Sequence, residues 1–236
     1  IYDERLRDPI NAERMLRLAR SEDERDVESL EQLVRILERA ARWPDLLMAL
    51  REQLPLAKGN RARSGLRVRM ARIAEQKLRN VELALQHLDE AVRDDPSDLD
   101  VLAELERLRR AQQDWPAVAE ALLLRSRALA SPKERADTLV EIARLRQNAM
   151  GDLGGAAQAY REALELDAVH ERALDELATL AERTGDFETA TATLRRLADR
   201  HSGPERAKAF ARLGEIVEVH LADKAQAAEH YDRALF

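Results

Sequence analysis

The sequence predicts an all-α protein built from repeated helix pairs, and three observations carry that expectation. Ala, Leu, Glu and Arg, all strong helix formers, dominate a chain of 236 residues, while aromatic residues make up only 3% and Gly and Pro number 8 and 7. A sandwich or barrel needs aromatic strands and frequent turns, so both are disfavoured. The chain also repeats itself: "RWPDLLMAL" at 42–50 returns loosely as "DWPAVAEAL" at 114–122, and Trp43, Trp115 and Phe187 stand at intervals of 72. Finally, Leu30, Leu102 and Leu174 keep the same interval, followed by Leu33, Leu105, Leu177 and then Ile36, Leu108, Leu180, which is helical spacing within each copy.

Two alternating units of about 36 residues make up this period. They divide a single array into residues 1–25 (a partial unit), 26–59, 60–96, 97–130, 131–168, 169–202 and 203–236. In the partial unit, Pro9 falls in the first turn of a helix, where a missing N–H is tolerated. The unit at 26–59 carries Leu30, Leu33 and Ile36 on its first helix, turns at "AR", and starts its second helix at Trp43-Pro44; Pro55 ends that helix early and loosens the way to Gly59.

In 60–96, Leu66, Met70 and Ile73 form the apolar stripe of the first helix and Ala84, Leu88 and Ala91 that of the second. The unit at 97–130 turns at "QD", where Asp114 caps a helix containing Pro116. In 131–168 and 169–202 the turns are Gly151-Asp152 and Gly185-Asp186; Gly takes the left-handed conformation that closes a helix, and Asp caps the next. The last unit pairs Leu213-Gly214 with Asp223 as cap and Ala227, Tyr231 and Ala234 as core. The aromatic residue opening each second helix of the first type reads as a wedge between consecutive pairs, with a cofactor-stacking or sugar-binding Trp as the alternative.

These residues resemble the tetratricopeptide repeat family: Leu213-Gly214 in a first helix, "GDL" or "GDF" at the turn, Ala-x₃-Tyr-x₂-Ala in the second helix, and Pro96 after "RDD". The resemblance covers essentially the whole chain. It departs at Glu106, where Ala71, Ala143, Ala178 and Gly214 are small, and at Gln53 and Arg125, so looser or tilted packing is expected there. The resemblance implies a right-handed superhelical α-solenoid of stacked antiparallel helix pairs, with first helices lining a concave groove that takes peptides or protein segments.

At 100° per residue, the position two after Leu105 lies about 200° from the core-facing side and points away from it. Along the units that position reads Arg35, Arg72, Arg107 and Arg144, then Thr179 and Glu215. Val68, Ala103 and Val140 stand four residues earlier and Asn148 four after Arg144. The partner-binding candidates are therefore Arg35, Val68, Arg72, Ala103, Arg107, Val140, Arg144 and Asn148, an Arg column over small apolar residues that suits an acidic segment. The competing reading is a solvated helix face on which Glu75, Glu104 and Glu141 pair locally with those Arg. The family's clamp for C-terminal carboxylates uses Lys and Asn on this face, and the Lys are missing here.

Other chemistry finds little support. A net charge of −6, with 39 basic and 45 acidic residues interleaved, argues against nucleic acid. The absence of Cys excludes disulfides and thiolate sites. His87, His170, His201, His220 and His230 form no helical metal pair. "GDLGG" at 151–155 lacks the Gly-Lys-[Ser/Thr] of a phosphate loop, and the "DERD" and "RDD" carboxylates have no accompanying nucleophile or oxyanion donor. The basic run at 60–72 has no interleaved aromatics for base stacking.

The reading is thus a non-catalytic scaffold for a protein or peptide partner, without cofactor or metal, nucleic acid or membrane span. Its competitors are a self-assembling structural segment and a regulatory arm of a larger enzyme or signalling protein. With Ile1 in place of Met and Leu235-Phe236 ending inside a helix, the chain is expected to be a piece of a longer protein, with termini prone to end-to-end packing with another copy. No signal or membrane-spanning segment is visible, which favours the cytoplasm.

Overall fold

A computed structural model describes residues 9–23 and 26–235. Ile1 and Phe236, and Glu24 and Arg25 of the "DERD" cluster, lie outside the described residues. Among the described residues there is no strand. The helices are α1 (Pro9–Glu22), α2 (Val27–Arg39), α3 (Trp43–Gln53), α4 (Asn60–Gln76), α5 (Val81–Asp94), α6 (Leu99–Ala111), α7 (Trp115–Ala128), α8 (Pro132–Leu145), α9 (Leu153–Leu166), α10 (Glu171–Thr184), α11 (Phe187–Arg200), α12 (Gly203–Val219) and α13 (Lys224–Leu235). Pro55 has the predicted effect: α3 stops at Gln53 and a single 3₁₀ turn, Leu54–Leu56, follows.

The chain forms two compact units, residues 1–108 and 109–236, the division falling within α6. In the first, α1 packs on α2, α2 on α3, α3 on α4 and α4 on α5; in the second, each helix from α7 to α13 packs on its successor. Leu30, Leu33, Val34 and Leu37 of α2 meet Leu46 and Leu50 of α3 and Met70 and Ile73 of α4 in the first core. The second core runs through α7 to α12 and is rich in Ala, with Ala143, Ala156, Ala163 and Ala178 all fully buried. Small residues at these places let helix axes approach closely, and each fully buried Leu contributes about 1.5–3 kcal/mol.

One turn recurs throughout. Ala41, Arg79, Gln113, Gly151, Gly185 and Ala222 all have positive φ, between 53° and 77°. Each stands two residues before the start of a second helix. The intervening residue caps that helix in five of the six: Asn80, Asp114, Asp152, Asp186 and Asp223 accept from the backbone N–H of Leu83, Ala117, Gly155, Thr189 and Gln226 at 2.8–3.3 Å. The exception is Arg42, which has no oxygen to offer on its side chain and instead bonds Asp45. Four of the six left-handed residues are not Gly, so the turn is imposed by packing and capping against a local cost of roughly 1–2 kcal/mol.

The half-buried aromatic residues after the cap are wedges. The Trp43 ring packs on the first core and lies 5.2 Å from Nζ of Lys77, at the end of α4. Phe187 packs on the second core and stacks at 4.0 Å on His220, at the end of α12. Both touch the turn that ends the next first helix. Trp115 packs on the second core.

Candidate functional site

The candidate surface is the outward face of the first helices. In the first unit it is carried by α4 and the part of α6 up to Leu108, whose exposed Arg72 and Arg107 flank half-buried Val68 and exposed Ala103. Between these helices runs a cleft of about 700 Å³ whose walls include Arg61, Gly65, Val68, Ala103 and Asp100. Its Arg side chains are tied across the cleft. Arg72 donates to Glu104 at 2.8 and 3.2 Å; Arg107 forks onto both oxygens of Glu75 at 2.9 and 2.6 Å and also bonds Glu104 at 2.9 Å.

The electrostatics follow. Hydrogen bonds donated to Glu75, then to Glu104, push the Arg107 guanidinium above its usual value despite some burial. Burial alone would raise Glu104, but the bonds from Arg107 and Arg72 outweigh it and hold the carboxyl below its ordinary value. Glu75, expected to pair with Arg72 in its own helix, thus serves Arg107 of the neighbouring one. Arg35, on α2, keeps only a 3.6 Å contact with Glu31 and is exposed.

In the second unit, Arg144 bonds Glu176 of α10 at 2.7 Å rather than Glu141 of its own helix. Glu141 takes Arg110 at 2.5 Å and Arg125 at 2.7 Å, which explains how an Arg is tolerated at 125: its guanidinium reaches a carboxylate of α8. Glu106, another departure, is buried and engaged in a polar contact.

Two expectations need correction. Val140 is only 2% exposed and belongs to the second core, so it offers a partner little apolar contact, although Arg144 one turn on is exposed. Asn148 is exposed but lies in a π-helical turn, Arg146–Met150, and the wider winding takes it off the line four residues beyond Arg144.

Two cations escaped notice in the sequence. Arg212 of α12 reaches Asp175 at 2.8 Å, Glu182 at 3.0 Å and Thr179 at 3.0 Å, joining α12 to α10 as Arg107 joins α6 to α4. Arg172 of α10 lines clefts of about 720 and 450 Å³ in the second unit and has no ion pair among the described residues. Neither stands on the Arg column: Arg212 lies one period of 72 after Val140, where the earlier units carry a small apolar residue, and Arg172 lies off the column altogether.

The remaining candidates resolve as structural. His170 caps α10 through Nδ1 and meets Asp137 through Nε2 at 3.0 Å; His201 faces Glu171 at 3.4 Å. Among the described residues no group of three His, Asp or Glu could hold a metal ion, and no helix is long and apolar enough to cross a membrane. In "GDLGG", Gly151 makes the left-handed turn and Asp152 the cap. The basic run of α4 is largely neutralised by Glu38, Glu90, Asp94 and Glu104.

The last pair gives the motif residues their reason. A Cβ on Gly214 would stand 2.6 Å from Cε1 of Tyr231, so this first helix needs Gly where the second helix brings its Tyr ring. The chain is built of tetratricopeptide-like helix pairs. No family model matches it and no curated protein matches it. Among solved structures it is similar to MamA, with a TM-score of 0.46 and 15% identity over 69% of this chain and 91% of that one. It is also similar to the C-terminal part of a TPR repeat-containing protein from Cytophaga hutchinsonii, with a TM-score of 0.46 and 14% identity over 96% of this chain and 89% of that one. A third is YrrB, described as a TPR protein with an unusual peptide-binding site, with a TM-score of 0.45 and 16% identity over 72% of this chain and 84% of that one. In these tetratricopeptide-like pairs the second helices bury Ala84, Leu88 and Ala91 in α5 and Ala156, Tyr160 and Ala163 in α9.

Proposed function

We propose that the chain is a non-catalytic protein-interaction scaffold whose first helices take up a polypeptide segment. Arg35, Val68, Arg72, Ala103 and Arg107 serve the first unit, and Arg144, with Arg172, serves the second. The observation that supports this most is the exposed ladder of Arg72, Glu104, Arg107 and Glu75 beside the cleft floored by Gly65, Val68 and Ala103. A floor of small side chains admits an extended backbone, and the bordering guanidiniums supply donors in fixed positions.

Arg72 uses Nε and Nη2 on Glu104 and keeps Nη1 for a partner carboxylate. Arg172 has no ion pair among the described residues, so its guanidinium is open to a partner carboxylate in the second unit. The partner accordingly carries acidic residues but meets a face that is close to neutral as a whole.

The test is to capture a partner from the native host and then measure its affinity for Arg72→Glu, Arg107→Glu and Arg144→Glu. At least a tenfold loss is expected in one or more of them. Unchanged affinity in all three overturns the proposal.

A second reading, association with another copy, rests on α1. Ile10, Met15 and Leu18 are 79%, 51% and 50% exposed, within an arc of about 140° of that helix. Light scattering on eluting protein at high concentration separates the two, since a monomer excludes self-association through α1.

A further inference from the structure

A further cleft, of about 240 Å³, lies away from the Arg column, at the start of α9, along α10 and at the start of α11. Its floor is Leu177, Leu180 and Ala181, at 3%, 1% and 3% exposure, and Leu153 and Ala157 are half-buried at its wall. Gly154 opens its mouth: a Cβ there would meet only Asp152 Oδ1, at 3.9 Å. The rim is polar, with Thr184, Thr189, Asp186 and the guanidinium of Arg161.

The repeat explains why the cleft exists. One period of 72 earlier, the positions of Gly154, Ala157 and Ala181 are held by Glu82, Leu85 and Arg109. Three large side chains are thus replaced here by Gly, Ala and Ala, which takes at least the volume of one Leu side chain from this wall. A cavity of this size lies below the roughly 300–1,000 Å³ of ordinary small-molecule pockets, so it suits one side chain rather than a cofactor.

Arg161 is only loosely engaged. Its contacts with Asp186 and Thr189 are both 3.5 Å long, at the limit of hydrogen bonding, and its side chain is 46% exposed. Asp186 is meanwhile committed through its other oxygen to the N–H of Thr189, at 3.1 Å. Several Arg161 donors therefore remain free at the rim of an apolar hole.

We propose that this cleft is a docking pocket for one branched apolar side chain of a partner polypeptide, with an adjacent acidic residue of that partner bound by Arg161. The apolar hole selects the side chain and the guanidinium fixes the direction of the chain across it. The site shares no residue with the Arg column, so it stands or falls separately from the groove.

The test uses the whole chain, assigned by NMR, titrated with acetyl-Leu-Asp-amide. Saturable shifts at Gly154, Ala157, Ala181 and Thr184 are expected, with a Kd on the order of millimolar for so small a probe. Ala157→Leu, which restores the residue of the earlier repeat, is expected to abolish them while leaving the melting temperature equal or higher. Gly154→Glu is a second blocking variant should Ala157→Leu fold poorly. Replacing the probe by acetyl-Leu-Asn-amide should weaken binding to the native chain several-fold and make no difference to Arg161→Gln. Absence of saturable shifts at these residues, or shifts unchanged in the filled variants, overturns the proposal.

Discussion

The hydroxyl of fully buried Tyr160 donates to Glu176 at 2.5 Å, and the same carboxylate receives Arg144 from the neighbouring first helix at 2.7 Å. One acid thereby joins the core of a second helix to the outward face of the first helices. Tyr160→Phe removes the hydroxyl and leaves the carboxylate with Arg144 alone. A hydrogen bond to a charged group contributes about 1.5–3 kcal/mol, so chemical denaturation should show a loss of that order. Burial, then Glu176, also pushes the Tyr160 phenol above its ordinary value. In an alkaline ultraviolet titration of the native protein it should ionise only as the fold is lost.

Gly214 gives a sharper test of packing. Gly214→Ala forces a methyl group into the ring of Tyr231 and should cost about 1–3 kcal/mol, as overpacking usually does. Adding Tyr231→Leu to the Gly214→Ala variant should recover part of that loss, and a double-mutant cycle measures it. Additive losses would show that the two residues are not in contact.

The recurrent turn predicts changes of opposite sign. Gln113 has φ of 57°, and Gln113→Gly should stabilise by up to about 1 kcal/mol, the relief of strain being partly offset by the freer unfolded chain. Gly185→Ala, at φ of 77°, should destabilise by about 1 kcal/mol or more. Thermal melts of the two variants should shift in opposite directions.

Acid should weaken both units through a repeated imidazole. His87 of α5 and His230 of α13 occupy equivalent places, one residue before Leu88 and Tyr231, and each has buried ring nitrogen without a hydrogen-bond partner. Burial is the first cause that lowers both below the ordinary 6.5. Around His87, Glu90 opposes the shift while Arg67 and Arg51 add to it; around His230, Arg195 and Arg233 add to it and Glu229 opposes. A depressed imidazole leaves the unfolded chain binding more protons, so stability is full above 6.5 and falls as pH drops below it. The melting temperature should therefore decline from pH 7 toward 5, and the decline should be shallower in a His87→Gln, His230→Gln double variant.

What could be read in the sequence was local. The period, the Asp caps, the two Gly turns and the Ala-x₃-Tyr-x₂-Ala core each depend on a few neighbouring residues, and the structure places them together. The left-handed Ala41, Arg79 and Ala222 carried no such signal, because neither Ala nor Arg advertises positive φ. The ladder was beyond reach for another reason: Glu75 and Arg107 meet across two helices, 32 residues apart, and their pairing depends on how those helices are laid together. Val140 and Asn148 failed because a fixed 100° step takes no account of the neighbours packed around α8 or of the π turn that follows it.

The cross-helix pairing of Arg107 with Glu75 and of Arg72 with Glu104 has a kinetic consequence. On the proposed binding role, a polypeptide arriving at this face would find guanidiniums already balanced by carboxylates, and would exchange partners instead of being drawn in by an unscreened field. Encounter should then proceed near the unsteered rate of roughly 10⁵–10⁶ M⁻¹s⁻¹, with little dependence on added salt, and discrimination between ligands should reside in how slowly the fitting one departs.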